Sequence, residues 1–580
     1  MRKAKEMAAA VLAAGMLLAA PAGAAEKPAP AVPEVQTVQA TGEAVQLSSP
    51  GVDTKQNRTL TQSQKQALTK VCQAVPELKE LTVQHVSDEG GKAWSVMLAE
   101  RTPDSAARIQ TVNAFLGFDR AGELQSFNIN NPQWASDQVP ASALAKEKAA
   151  QFVHAFLGEQ EKEYQPGASI GYGGSGTADE KGNQITWASA DVQYNRLING
   201  IPLMNSGFRV NVDVFGHITG FQREKEAVLD PAKFPAPARA ITPAAAEKAF
   251  SGLVEMNLQY YARHPLKLQV FNTARDETRP VLMYAPSFPA PIDALTGKPL
   301  ADFMDHTGQP KWITLQGEGG QLTAGTPEEA AALLAKQFGI DMAGMRLQNV
   351  DERPAFFDPE IKTKEYNWVS QPEPGLGGRP ENGPMRFLHM TTIAGTGRVV
   401  GFNLQDESGR GRQATVSPEA ALNTAEQFLS KLLPPGTAEL QVRVYPSGGE
   451  VMPSWVDKSK LQAQEQPQPV FSFNFNRIYQ GVPVVDSGYA IQVDAITGKI
   501  IGFNDGFRGT SVALPDNKNV VSAETAKAEF LKQHPLQLVY IWPEFFGQRG
   551  PSPELVYIPA FGSGWDYIDA FTGKTVTVGN

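Results

Sequence analysis

Asn195-Arg-Leu-Ile-Asn-Gly-Ile-Pro-Leu-Met-Asn-Ser-Gly-Phe208 returns 281 positions later as Asn476-Arg-Ile-Tyr-Gln-Gly-Val-Pro-Val-Val-Asp-Ser-Gly-Tyr489, with Asn, Arg, Gly, Pro, Ser and Gly in register. A repeat of this length marks a duplicated scaffold. The flanks agree. Gly216-His-Ile-Thr-Gly-Phe221 answers Gly498-Lys-Ile-Ile-Gly-Phe503, and His264-Pro-Leu-Lys-Leu268 answers His534-Pro-Leu-Gln-Leu538. Turn formers and strand residues are what repeat, so the sequence argues architecture more strongly than activity.

Working outward, each half reads as two helix-then-sheet modules. Apolar residues at helical spacing predict helices over 141–163 and from Ser417-Pro-Glu-Ala to Pro434, the second with a hydroxyl N-cap and a proline at its first position. Strands follow at 185–197, 208–214 and 218–221, and again at 470–478, 489–493 and 500–503. Asn199-Gly200 and Gln480-Gly481 mark one turn, and Asp213 to Gly216 and Asp494 to Gly498 the next. Further helices start at Ile241-Thr-Pro and Val521-Ser-Ala, each leading to a strand and an Asp-Ala-x-Thr-Gly-Lys turn, at Asp293 and Asp569. Leading helices are expected at 61–74 and 326–338. Gly122 to Asn128 resembles Gly397 to Asn403, a glycine turn before a strand. The fold class is α+β: tandem duplicated modules, each a helix packed on an antiparallel sheet. The expected boundaries are 56–230 and 231–310 in the first half, with 318–510 and 511–580 in the second.

At 580 residues the chain exceeds one hydrophobic core and suits about four packing units. Met1 to Glu6 is basic, Met7 to Ala20 apolar, and Ala22-Gly23-Ala24 a small-residue cleavage pattern, so residues 1–24 read as a secretory signal peptide. Residues 25–55 read as an unstructured leader rich in Pro, Ala, Thr and Gln. Loss of Arg2, Lys3, Lys5 and Glu6 takes the net charge from -9 to -11, which argues against nucleic acid as a partner. No later stretch is apolar enough for a stable membrane anchor after cleavage. The expectation is a secreted or cell-wall-associated protein. Cys72 is the sole cysteine and reads as a small buried hydrophobe.

These residues resemble the YcdB/YcdC repeated-domain and PepSY-like exported proteins of Gram-positive bacteria. The tract from Phe475 to Val484, with Val493-Asp494 and Gly498-Lys499, is also similar to a strand-turn-strand signature in the propeptides of thermolysin-type proteases. The resemblance implies a helix-on-antiparallel-sheet fold and a partner that is a secreted protease or a cell-wall component. The sequence carries no His-Glu-x-x-His and no catalytic domain behind the repeats up to Asn580, so the expected restraint of a protease is in trans.

No residue set is assigned as catalytic, cofactor-binding or metal-binding. Gly171-Tyr-Gly-Gly-Ser-Gly176 has dinucleotide spacing but precedes a polar stretch and a strand, and reads as a hairpin loop. The seven histidines stand singly, without ligand spacing. His264 and His534 read as helix C-terminal cations or buried hydrogen-bonding groups. The Asp293, Asp494 and Asp569 turns bring one carboxylate each, too few for a calcium loop. The candidates for partner binding or for structure are Asn195, Arg196, Gly200 and Pro202 with Asn476, Arg477, Gly481 and Pro483: an arginine at one strand position in each half, beyond which Gly and Pro shape a turn. The expected function is a non-enzymatic binding protein of the cell envelope. The alternatives are a secreted hydrolase with dispersed carboxylates, which leave no required spacing, and a structural cell-wall protein.

Overall fold

The computed structural model describes residues 60–88, 93–100, 112–178, 184–224, 229–265, 278–288, 290–300, 309–355, 358–370, 385–446, 452–462, 466, 468–506, 512–562 and 565–578. The expected signal peptide and leader lie outside them. The first half runs α1 (Gln62–Ala74), β1 (Thr82–Asp88), β2 (Ala93–Ala99), β3 (Asn113–Asp119), β4 (Leu124–Asn130), α2 (Ser142–Leu157), β5 (Tyr164–Ala178), β6 (Gln184–Ile198), β7 (Ile201–Asp213), β8 (Ile218–Arg223), α3 (Pro243–Leu253), β9 (Glu255–Pro265), β10 (Thr278–Ser287) and β11 (Ile292–Asp293). The second opens with β12 (Lys311–Gly317), α4 (Pro327–Phe338), β13 (Arg346–Ala355), β14 (Asp358–Val369), β15 (Arg386–Ile393), β16 (Val399–Asp406) and α5 (Pro418–Leu432). It continues through β17 (Gly436–Tyr445), β18 (Val470–Tyr479), β19 (Val482–Asp494), β20 (Ile500–Asp505), α6 (Ala523–Gln533), β21 (Leu536–Ile541), β22 (Glu544–Phe545), β23 (Gln548–Arg549), β24 (Glu554–Pro559), β25 (Trp565–Asp569) and β26 (Thr575–Val578).

Local chemistry sets the helix limits. Thr61, Thr242, Thr326, Ser417 and Ser522 each accept a first-turn backbone N–H, and Thr61 with Gln64 closes a capping box. The helix read as 141–163 stops at Gly158, whose φ of 57° turns the chain into a 3-10 segment over Gly158–Glu163. On one face of each first-module sheet, helices seal a core. Ala145, Ala149, Phe152 and Phe156 of α2 meet Phe127, Phe208 and Phe221. Ala421, Ala425 and Leu429 of α5 meet Phe471, Phe473 and Phe475. Burying side chains of this size stabilises by about 1.5–3 kcal/mol each.

The second modules do not stand one per half. The eleven-stranded sheet runs β1-β2-β3-β4-β8-β7-β21-β24-β11, with β6 and β5 beyond β7, so strands from the carboxyl end of the chain extend the first half's sheet. The thirteen-stranded sheet runs β13-β14-β15-β16-β20-β19-β9-β10-β25-β26, with β18, β17 and β12 beyond β19, so strands from residues 255–287 extend the second half's sheet. The junctions correspond: Leu203 pairs with Tyr540 and Val484 with Tyr260, both parallel. Four tyrosine hydroxyls bolt the exchange, Tyr260 donating to Pro515 O at 2.9 Å, Tyr540 to Pro235 O, Tyr284 to Val521 O at 2.7 Å and Tyr557 to Ile241 O at 2.8 Å. One core serves both, joining Ile198, Leu203, Phe250 and Tyr260 to Val482, Val484, Phe530 and Tyr540. The halves are therefore interlocked about a pseudo-twofold relation, which the sequence left open.

Two sequence readings are corrected. Gly171–Gly176 is strand, not hairpin loop: these residues pair with Asp191 to Thr186 of β6, because a strand with small side chains satisfies its amides in the ladder. His264 is not at a helix end. Helix α3 stops at Leu253 with Val254 as its C-cap, whereas His534 is the C-cap of α6, so Val254 is the counterpart of His534 and the shared His-Pro-Leu string does not mark equivalent positions. His534 makes the expected buried hydrogen bond, with Nδ1 3.1 Å from Ala560 O. His264 is fully buried in β9, stacked on Trp565 at 4.6 Å.

Candidate functional site

The repeated tract forms the β6–β7 and β18–β19 hairpins. Asn199 and Gly200 (φ 50° and 78°) and Gln480 and Gly481 (φ 48° and 77°) have the positive-φ pair that a two-residue turn between right-twisted strands requires. Pro202 and Pro483 follow, opposite Leu197 and Ile478. The residues flanking both tips, Ile198 and Leu203 with Val482 and Val484, enter the shared core, while the exposed tips are tied beside it, Asn199 Nδ2 to Pro231 O at 3.3 Å and Asn517 Nδ2 to Gln480 O at 2.9 Å. Gly200, Pro202, Gly481 and Pro483 thus shape the arms that hook each half into the other. Asp486, two residues beyond Val484, accepts the Ala262 and Arg263 amides at 2.8 and 2.9 Å. It is a tie between halves that the sequence reading did not single out.

Arg196 and Arg477 lie in different sheets and are not brought together. Asn195 and Asn476 precede them at matching strand irregularities; Asn195 is buried, and Asn476 Nδ2 donates to Gln441 at 3.3 Å. Arg477 Nη2 donates to the Tyr489 hydroxyl at 2.8 Å, its guanidinium lies 5.1 Å from that ring's centre, and it reaches Asp505 at 4.0 Å. Arg398 holds the other oxygen of Asp505 at 3.0 Å. Burial raises the Tyr489 phenol pKa, against the pull of Arg477. Two guanidiniums therefore share one carboxylate. The first half places Glu123 where Arg398 stands and Arg223 where Asp505 stands, with Phe208 for Tyr489. Arg223 there bonds the Tyr164 hydroxyl at 3.3 Å, and Arg196 approaches Glu163 at 3.9 Å.

On the face of the second sheet away from α4 and α5, polar side chains form a row across β14, β15, β16, β20 and β19. Asn367 stands beside His389, His389 beside Asn403, Asn403 beside Gly502, and Gly502 beside Gln492. Asn403 Nδ2 donates to Gln492 Oε1 at 2.6 Å across β20, and a Cβ at Gly502 would lie 2.6 Å from that oxygen. The glycine is what lets the bond cross. His389 Nδ1 lies 2.8 Å from Asn367 Oδ1 and Nε2 2.9 Å from Thr391 Oγ1. A carbonyl oxygen only accepts, so Nδ1 carries the proton, and in the neutral ring that burial favours Nε2 accepts from the Thr391 hydroxyl.

Burial lowers the His389 pKa below its ordinary value; Glu365 opposes the shift and Arg353 adds to it. The folded state thus refuses a proton that the unfolded chain accepts, and stability falls as pH drops below the unfolded value of about 6.5. His389→Gln is expected to shrink the loss of urea midpoint between pH 7 and pH 5. An equal loss in both proteins would assign the acid sensitivity elsewhere.

Other candidates resolve locally. Asp293, Asp494 and Asp569 each turn Oδ1 to two amides of their own loop at 2.6–3.2 Å, which is turn chemistry. No group of three or more metal-ligating side chains occurs among the described residues. Cys72 is half-buried against the first core, and burial raises its thiol pKa. A groove of about 430 Å³ between α3 and α6 is lined by one carboxylate, Glu247, with Lys248, Lys532 and His534. No helix among the described residues is long and apolar enough to cross a membrane. The sequence reading missed His389, Asn367, Asn403 and Gln492 because it sought close ligand spacing, whereas the signal is the period-two polar alternation of half-covered strands.

Comparison with known proteins bears on this same sheet. No curated protein matches the chain. A solved structure, the YpeB C-terminal domain of Bacillus megaterium, is similar over 45% of this chain and 100% of its own, at 12% identity and a TM-score of 0.23. Residues 360–505 match the family model described as the YcdB, YcdC repeated domain, a span from β14 to the end of β20 that includes Arg398, Arg477, Tyr489 and Asp505. Over residues 360–505 the chain is thus similar to the YcdB, YcdC repeated domain.

Proposed function

We propose that this is an exported, non-enzymatic PepSY-like binding protein of the cell envelope that restrains a secreted protease. The observation that carries the reading is the one-sided construction of the first module of each sheet. Helices cover one face there, while the other presents polar side chains such as the Asn367, His389, Asn403 and Gln492 row, with Phe115, Leu347 and Val350 exposed on the sheets. Broad faces and edges of this kind suit a polypeptide better than a small molecule. The basic start and cleavage pattern of residues 1–24 support export, and the resemblance to protease propeptides supports the choice of partner.

The test is capture of secreted proteins from the producing cell on immobilised residues 25–580, followed by assays of each captured protease with and without added protein. The expected result is a captured protease whose activity falls on addition. Capture without inhibition, or no protease among the bound proteins, overturns the reading.

A further inference from the structure

We infer that Asn199 is a site of spontaneous deamidation, and that its conversion to aspartate or isoaspartate loosens the junction between the halves at Tyr540. This goes beyond the binding reading and does not rest on it. The sequence holds two Asn-Gly pairs, Asn199-Gly200 and Asn382-Gly383, of which the second lies outside the described residues. Glycine after asparagine leaves the attacking backbone nitrogen without a side chain to shield it. Both Asn199 and Gly200 are exposed, and a Cβ added at Gly200 would meet nothing within 4 Å. The Gly200 nitrogen attacks Asn199 Cγ, and its proton passes through water to Nδ2, which leaves as ammonia. The succinimide ring so formed takes up one water. It opens to aspartate, or to isoaspartate with the main chain running through the former side chain. Water is the co-reactant, and nothing is oxidised or reduced.

The direction of the hydrogen bonds makes this position consequential. Asn199 Nδ2 donates to Pro231 O at 3.3 Å. Burial raises the Tyr540 phenol pKa, and a hydrogen bond with the Asn199 side chain lowers it. Tyr540 comes from the other half, pairs with Leu203 and donates its hydroxyl to Pro235 O. A carboxylate at 199 has no proton to give at neutral pH, so it faces the Pro231 oxygen as acceptor against acceptor and competes with Pro235 for the Tyr540 proton. Isoaspartate also lengthens the main chain by a methylene between Ile198 and Leu203, which fill the shared core. The second hairpin is built the other way round. Asn517 N donates to Gln480 Oε1 at 3.1 Å and Asn517 Nδ2 to Gln480 O at 2.9 Å, so an acid at 480 would still accept. Glutamine would also have to close a larger ring. Of two equivalent turns, the first therefore has an amide that is both labile and needed as a donor.

The test is to age folded residues 25–580 at mildly alkaline pH and follow them by peptide mapping and hydrogen exchange with mass spectrometry. Acid and isoaspartyl forms are expected at 199, while Gln480 stays an amide. Asn199→Asp, made directly, should speed exchange in 201–203 and 539–541 about tenfold, the loss expected for one hydrogen bond. The converted fraction of aged wild-type protein should match it, and gives the same comparison should Asn199→Asp not fold. Asn199→Gln should remain an amide and show no change with age. An amide that persists at 199 in the folded protein while the urea-unfolded chain converts overturns the inference. Conversion that leaves exchange in 539–541 unchanged overturns it as well, because the Asn199 bonds would then not hold the junction.

Discussion

Severed between residues 308 and 309, the protein is expected to lose its monomeric fold, and the two fragments are expected to regain it only together. Fragment 25–308 keeps α1, α2 and the β1–β8 sheet, which bury their own core. It loses every inter-strand partner of β9 except β10, and the β25 neighbour of β10. Helix α3 packs on β11 and β21, and α6 on β9, β10 and β25, so α3 loses β21, and α6 loses β9 and β10, when the other half is gone. Phe250, Tyr260, Leu282 and Tyr284 would then be exposed, with the hydroxyl bonds from Tyr260 and Tyr284 unmade. An apolar surface of that kind does not stay in water as a monomer. Fragment 25–308 alone should aggregate or pair with a second copy, and its β9 and β10 amides in the monomer should exchange at near-unfolded rates. Mixed with 309–580 it should give a one-to-one complex by light scattering, with β9 and β10 protected. A soluble monomeric fragment whose β9 amides are protected would refute the interlocked reading.

That interlock marks the limit of what the sequence conveys. The helices were legible because apolar residues at helical spacing and caps such as Thr326-Pro and Ser417-Pro are local signals, and the hairpins because Asn199-Gly200 and Gln480-Gly481 demand a particular turn. Pairing between strands hundreds of residues apart leaves no such mark: nothing in the residues around Tyr260 says that its neighbour is Val484 rather than Leu203, since both hairpins offer the same Gly-x-Pro arm. Duplication makes the ambiguity worse, because a second module fits its own half and the other half by the same residues. The string His-Pro-Leu misled for a related reason. It repeats in sequence but not in position, and only the Val254 and His534 caps reveal the true register. At the candidate site, Arg477 was legible as a repeated cation. Its partners Asp505 and Arg398 were not, because the first half distributes the same charges differently, with Glu123 and Arg223.

Gly207→Ala is expected to destabilise the protein by about 3–5 kcal/mol, while Gly200→Ala, at nearly the same φ, costs about 1 kcal/mol. Both glycines have left-handed backbone, at φ 77° and 78°. They differ in what surrounds them. A Cβ on Gly200 would meet nothing within 4 Å, whereas one on Gly207 would run into the Tyr194 carbonyl oxygen and lie 3.2 Å from the Tyr164 ring and 3.3 Å from Arg196 N. The crowding comes from the strand irregularity between Tyr194 and Arg196, where Ser206 Oγ accepts the Arg196 amide at 2.9 Å and donates to Leu203 O. Gly488 stands at the matching irregularity between Asn476 and Arg477, and a Cβ there would strike the Phe475 carbonyl oxygen. Backbone oxygen cannot rotate away as a side chain can, so relief requires the irregularity to open and the arginine after it to turn. Urea unfolding of the two variants decides the matter. Equal losses would mean that backbone conformation alone governs both positions. A loss several-fold larger at Gly207 would mean that the Ser-Gly pair repeats because it lets two strands close around Arg196 and Arg477, which makes those arginines' placement, rather than the turn beyond them, what the duplicated tract preserves.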